Sequence, residues 1–103
     1  MVGLLQELQD WYRSRCDGEW EHGFGVKIGT LDNPGWSLTI DLVGSGLEGK
    51  AFQPVSRGVG LDSFPEGTEW LVCKIEANQF HGFGGPSNLE EMIRVFLRWK
   101  DEP

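Results

Sequence analysis

The densest set of reactive side chains in the sequence is Cys16-Asp17-Gly18-Glu19-Trp20-Glu21-His22, which puts a thiol, three carboxylates and an imidazole within seven residues. Carboxylate and imidazole are the common partners of general acid–base catalysis, so this stretch is the first place to look for chemistry. Alternation argues against it. On a strand, Glu19 and Glu21 would share one face while Trp20 and His22 point to the other, which separates acid from base. Solvated carboxylates with His22 partly in the core are therefore expected, with a partner-binding surface as the functional reading. An enzyme using Glu21, His22 or His81 as acid and base would need a shared cleft, and the sequence does not show one.

Cys16, His22, Cys73 and His81 are residue types that zinc prefers, but no close Cys or His pair of the zinc-finger kind occurs, so no metal is expected. The two cysteines are too few for a disulfide framework and would stay thiols in a reducing compartment. Cys16 follows a helix end and precedes Asp17, neither of which favours a thiolate, and Cys73 sits in an apolar alternation where a free cysteine packs as a small hydrophobe. Phe83-Gly84-Gly85-Pro86-Ser87 leads into a helix and could hold an anion. It lacks the lysine and spacing of nucleotide-binding loops, so a turn is expected there and no cofactor. Of the five tryptophans, Trp11, Trp20 and Trp36 fall on apolar stripes, leaving Trp70 and Trp99 as the expected exposed rings. A small-ligand or glycan module built on Trp70, Trp99 and the Gly-rich loop is the alternative function they carry.

The elements that must position these groups follow from hydrophobic periodicity. Leu4, Leu5, Leu8, Trp11, Tyr12 and Arg15 recur at helical spacing, and Gly18 is placed to close that helix. The period then becomes two. Trp20 to Ile28 reads as one strand and Trp36 to Leu42 as a second, joined through Leu31-Asp32-Asn33-Pro34-Gly35 with Gly35 at positive φ. Lys50 to Arg57 reads as an edge strand containing Pro54, Gly58 to Gly67 as a loop, Trp70 to Glu76 as a fourth strand, and Gln79 to Phe83 as a fifth after an Ala77-Asn78 turn. Ser87 or Asn88 would cap a last helix with Glu90 or Glu91 as capping-box partner, and Leu89, Met92, Ile93, Phe96 and Leu97 form its stripe. Glu90, Arg94 and Arg98 fall on its solvent side, and Lys100 to Pro103 should fray. The fold class is α+β: an antiparallel sheet of four to five strands with an N-terminal and a C-terminal helix on one face, in a single domain over residues 1–103.

Composition agrees with an ordinary folded domain, with 39% hydrophobic and 24% charged residues. The net charge of −7 would repel a phosphate backbone, so neither nucleic acid nor an anionic membrane is an expected partner. No apolar run approaches a membrane span and the first residues lack a basic, signal-like segment, which points to a soluble, cytoplasmic protein. No oligomeric state is assigned by the sequence.

Cys16-Asp17-Gly18-Glu19-Trp20-Glu21-His22, Gly25-Val26-Lys27-Ile28 and Thr30-Leu31-Asp32-Asn33-Pro34-Gly35-Trp36 together resemble the bacterial Immunity protein 53 family. The resemblance continues through Leu47-Glu48-Gly49-Lys50, Phe80-His81-Gly82-Phe83-Gly84-Gly85-Pro86 and Phe96-Leu97-Arg98-Trp99, and so spans nearly the whole chain. It implies a cytoplasmic, non-enzymatic protein that neutralises the cognate toxin of a polymorphic toxin system by binding it. An acidic surface would attract a basic toxin, such as a nuclease domain shaped to hold phosphate. On the two-strand reading, Glu19, Glu21 and Asp41 gather on the polar side of the first hairpin with Asp17 and Asp32 at its ends. These five, with Trp70 and His81, are the expected toxin contacts.

Overall fold

The structure, a computed structural model, describes residues 3–58 and 69–103. Helix α1 (Leu4–Arg15) and a single helical turn α2 (Trp20–Gly23) precede the strands β1 (Val26–Leu31), β2 (Gly35–Asp41), β3 (Val55–Arg57), β4 (Leu71–Glu76) and β5 (Gln79–Gly84). Helix α3 (Leu89–Asp101) follows them. The strands form one antiparallel sheet ordered β1-β2-β5-β4-β3, so the last strand made lies at its centre.

Register explains why one side of this sheet is dry. Val26 opposes Ile40, Ile40 opposes Phe80 and Phe80 opposes Ile75, while the next inward row runs Ile28, Leu38, Gly82, Cys73 and Val55. Leu38, Ile40, Leu71, Cys73 and Phe80 are buried there with Met92, Ile93, Phe96 and Leu97 of α3 and Leu8 of α1. Both long helices thus share one core on one side of the sheet, as their apolar stripes require. The opposite side carries Ser37, Thr39, Asp41, Val72, Lys74, Gln79, His81 and Phe83, each half-buried or exposed.

The close seating of α3 depends on two glycines. A Cβ on Gly82 would lie 3.1 Å from Met92 Sδ, and one on Gly84 would lie 2.9 Å from Met92 Cε and 3.2 Å from the Trp70 carbonyl oxygen. Strand β5 therefore presents bare backbone where Met92 rests. Gly35 serves a different need from the expected turn. The reversal is completed by Asp32, Asn33 and Pro34, and Gly35 is already in β2, paired with Leu31, without positive φ. It must be glycine because a Cβ would come within 2.3 Å of the Gly84 carbonyl oxygen. At the β4–β5 turn, Ala77 and Asn78 take φ of 53° and 59°, the paired left-handed conformation that matches strand twist in a two-residue hairpin.

Several expectations are corrected. The strand read from Trp20 begins only at Val26, because local hydrogen bonds fold Trp20–Gly23 into a helical turn instead. The strand read over Lys50 to Arg57 is confined to Val55–Arg57, after Pro54, and is an edge as expected. Residues 59–67 of the expected loop lie outside the described residues. Helix α1 ends with Cys16 in an extended conformation, its N–H donating to the Arg13 carbonyl, and Gly18 takes its φ of 96° in the following turn. Asn88 precedes α3 without a side-chain cap. Its side-chain amide nitrogen donates to the Trp70 carbonyl at 2.8 Å and ties the helix start to the residue before β4, while Glu91 pairs with Arg57 and Arg94 rather than completing a capping box. Nor does the chain fray at Lys100, since α3 runs to Asp101 and Lys50 Nζ donates to the carbonyls of Lys100 and Glu102. A cation is favourable at these last carbonyls. Trp70 and Trp99, expected on the surface, are 5% and 3% exposed. Trp99 falls two helical turns after Met92 on the buried stripe, donates Nε1–H to the Ala51 carbonyl at 2.7 Å and meets Phe52 edge-on.

Truncating Ile40 or Ile93 to Ala should lower unfolding free energy by about 2–5 kcal/mol, measured by urea denaturation. Gly82→Ala should also destabilise. Its cost should be smaller in a Met92→Ala background, because the atoms nearest the new methyl belong to Met92. An equal cost in both backgrounds would mean that this contact does not set the helix–sheet spacing.

Candidate functional site

The acid-rich segment folds around its own carboxylates. Asp17 Oδ1 accepts from the backbone N–H groups of Trp20 and Glu19, both at 2.9 Å, while the two oxygens of Glu21 accept from Asp17 N–H at 3.0 Å and Gly18 N–H at 2.9 Å. This reciprocal arrangement satisfies the donors at the start of α2. It also favours the charged forms. The N–H groups of Trp20 and then Glu19 hold the Asp17 carboxyl below its usual range, and the N–H groups of Glu21 itself, Asp17 and Gly18 do the same for Glu21.

The turn fixed in this way drives Trp20 inward. Its ring is 6% exposed, its Nε1–H donates to the Val43 carbonyl at 2.7 Å, and it packs against Trp11, Tyr12 and Phe24 with centroid separations of 6.1–6.2 Å. Gly44, at φ 77°, passes close beneath it, since a Cβ there would stand 3.1 Å from Trp20 Cδ1. The loop after β2 repeats the same device: Glu48 accepts from Gly44 N–H at 2.7 Å and Gly46 N–H at 3.0 Å, and its carboxyl is likewise lowered, most by Gly44.

Beside this aromatic cluster, a groove of about 540 Å³ runs between α1 and β1. The large hydrophobic side chains exposed among the described residues are Leu5, Tyr12, Phe24, Ile28 and Val43, and all but Val43 line this groove. Leu5 is 60% exposed and Ile28 43%, values that set them apart from the buried residues of the same helix and strand row. An apolar patch gathered in one concavity is the usual mark of a contact surface. Glu21, His22 and Asp41 also line it.

The residues expected at a toxin contact are thus only partly brought together. Glu21 and Asp41 both line the groove, although Glu21 is not on a strand face. Asp41 is anchored by Gly25 N–H at 2.9 Å and Gln79 Nε2 at 2.7 Å. Asp17 and Glu19 stand exposed in the adjoining turn, again off any strand. Asp32 sits at the hairpin's far end, about 20 Å away at the usual rise per strand residue. Trp70 is buried and offers no ring to a partner. His81 lies in the middle of the helix-free sheet face, stacked on Phe83 with ring centroids 6.3 Å apart and planes 3° from parallel. Sequence reasoning missed Leu5, Tyr12, Phe24 and Ile28 by assigning them to the core. The available signal was the width of the α1 stripe: at about 100° per residue, Leu5 and Tyr12 lie at one margin, beyond what a single contact covers.

Of the three groups weighed as acid and base, Glu21 and His22 line the same groove and His81 does not. Glu21 is held by backbone donors, His22 is exposed on α2, and His81 projects from the other side of the sheet. Burial pushes the Cys73 thiol up to about 12, and Cys16 Sγ–H donates to the Tyr12 carbonyl of the helix it follows. Among the described residues no three His, Cys, Asp or Glu side chains gather as metal ligands, and no helix is long and apolar enough to cross a membrane.

Residues 5–101 match the model of a protein family described as Immunity protein 53. No curated protein and no solved structure matches the chain.

A lowered carboxyl pKa stabilises the fold above the unfolded value, about 4, and that contribution is lost as pH falls through the lower folded value. The turn of Asp17 to Gly23 should accordingly hold from neutral pH to about 4 and loosen below it. Amide exchange at Gly18, Glu19 and Trp20 should accelerate in that acid window. Asp17→Ala should produce the same acceleration at Glu19 and Trp20 at neutral pH.

Proposed function

The chain belongs to the Immunity protein 53 family, and on that premise we propose that it protects its cell by binding a cognate toxin in a stoichiometric complex. The family match over residues 5–101 carries this reading. What supports inhibition by binding, rather than by chemistry on the toxin, is the engagement of the Glu21 carboxylate by backbone donors, the separation of His81 on the other side of the sheet and the burial of Cys73. The protein acts in the cytoplasm, where its two free thiols remain reduced.

Its toxin is a basic domain, and a nuclease is the kind of toxin this charge suits best. A net charge of −7 accelerates encounter with a surface that itself evolved to hold phosphate. The glycan-module alternative loses its platform, because Trp70 and Trp99 are inside. Glu21 and Asp41, which line the groove, and Glu19, exposed in the adjoining turn, supply the steering, and the exposed apolar side chains supply the short-range contact.

Co-expression with the toxin domain encoded by the adjacent gene should restore growth, and calorimetry should give a one-to-one complex. Glu19→Lys leaves the hydrogen bonds of the turn intact, so it should slow association and flatten its salt dependence while dissociation changes little. Cys16→Ser should protect as well as the unaltered protein. A folded Cys16→Ser protein that fails to protect would overturn inhibition by binding in favour of thiol chemistry.

A further inference from the structure

Strand β1 is one edge of the sheet, and its outward backbone groups can be identified. Asp41 N–H donates to the Gly25 carbonyl at 3.0 Å, which makes Gly25–Asp41 a hydrogen-bonded pair. Pairs alternate along an antiparallel ladder, so Lys27–Thr39 and Gly29–Ser37 are also bonded, and the N–H and C=O groups of Val26, Ile28 and Thr30 point away from β2. No backbone group among the described residues pairs with them. The other edge, β3, has only three residues. A six-residue edge with a row of open donors and acceptors is a template for strand addition unless something blocks it.

The apolar groove runs along this same edge. Val26 and Ile28 line it from the strand, while Leu5 and Tyr12 face them from α1 and Phe24 closes one end. An added strand would place alternate side chains toward that groove, where the exposed apolar surface would receive them. The fixed charges of the lining are Glu21, Asp41 and Lys27, two acids against one base. A second copy of this chain is a poor occupant, since two partners each carrying −7 would pair their acidic edges. Apolar residues interspersed with Lys or Arg suit it instead.

We propose that the cognate toxin contributes one extended segment of alternating apolar and basic residues, which adds to the free edge of β1 as a sixth strand and packs its apolar side chains into the groove against α1. This rests on the reading of the protein as a toxin-binding inhibitor. The segment's backbone supplies partners for Val26, Ile28 and Thr30, and its cations meet Glu21 and Asp41.

Residue-resolved amide exchange, measured with and without a catalytically inactive toxin domain from the adjacent gene, tests this directly. In the complex the amides of Val26, Ile28 and Thr30 should slow by about tenfold or more. A second variant probes the same edge. Thr30→Pro removes an outward N–H without touching the ladder to β2, so the protein should stay folded by circular dichroism and lose about two- to tenfold in toxin affinity. Binding of the toxin with these amides exchanging as in the free protein, or unaltered affinity of folded Thr30→Pro, would overturn strand addition and leave the inhibitor reading standing. Absence of any binding would overturn both. Protection of the same amides in the protein alone, rising with its concentration, would replace the toxin segment by a second copy and overturn the proposal.

Discussion

The resting of Met92 on the bare backbone of Gly82 and Gly84 is the contact from which the rest of the architecture follows. A helix laid on a sheet normally stands off by the thickness of two side-chain layers. Here β5 contributes no side chain at those two inward positions, so α3 sinks toward the sheet centre and Phe96 comes within 5.4 Å, centroid to centroid, of Phe80. The position of α1 is then settled against α3 through Trp11, which meets Phe96 edge-on at 5.0 Å. Trp11 in turn meets Trp20, so the acid-rich turn is carried to the end of the sheet where β1 starts. The groove is what remains between a helix placed by α3 and an edge strand placed by β2.

Within that frame the carboxylates act on backbone before they act on anything else. Asp17, Glu21, Glu48 and Asp41 all accept N–H groups of nearby loops. Each replaces a solvent-bonded donor by a charge-assisted hydrogen bond and keeps its negative charge at the surface. The same residues therefore shape the loops around the groove and give that end of the molecule its sign. Glu19, which lies in the same turn with its backbone rather than its side chain engaged, can have its charge changed without removing such a bond.

The sheet and its helices were legible because their signals were regular. Trp36, Leu38 and Ile40 alternate without interruption, and Met92, Ile93, Phe96 and Leu97 hold the helical period, so strand two and the start of the last helix are legible nearly to the residue. The segment from Trp20 to Ile28 alternates just as well, yet its first part is helical. Alternation reports which residues are apolar; it does not report that Asp17 and Glu21 lie at spacings from which their carboxylates can close a turn on the backbone. Misplacing that turn put Glu19 and Glu21 on a sheet face and hid Phe24 in the core. The groove was unreadable for a further reason. Its apolar residues look like core by composition, and their exposure follows from a spacing between α1 and β1 that is set by glycines more than fifty residues away.

The strand order also has a consequence for how the molecule comes into being. Strands β1 and β2 can pair as soon as both are synthesised, since a three-residue turn joins them, but the second edge of β2 is reserved for β5, nearly forty residues later. Until then Leu38 and Ile40 have neither β5 beside them nor α3 above them. Closing the sheet thus waits on sequence-distant pairing, the slow component of folding for topologies of this kind, and the nascent hairpin passes through a period with an uncovered hydrophobic face. The long-lived danger for this protein lies in that interval of biosynthesis, when a chaperone has more reason to engage it than at any time after α3 has docked.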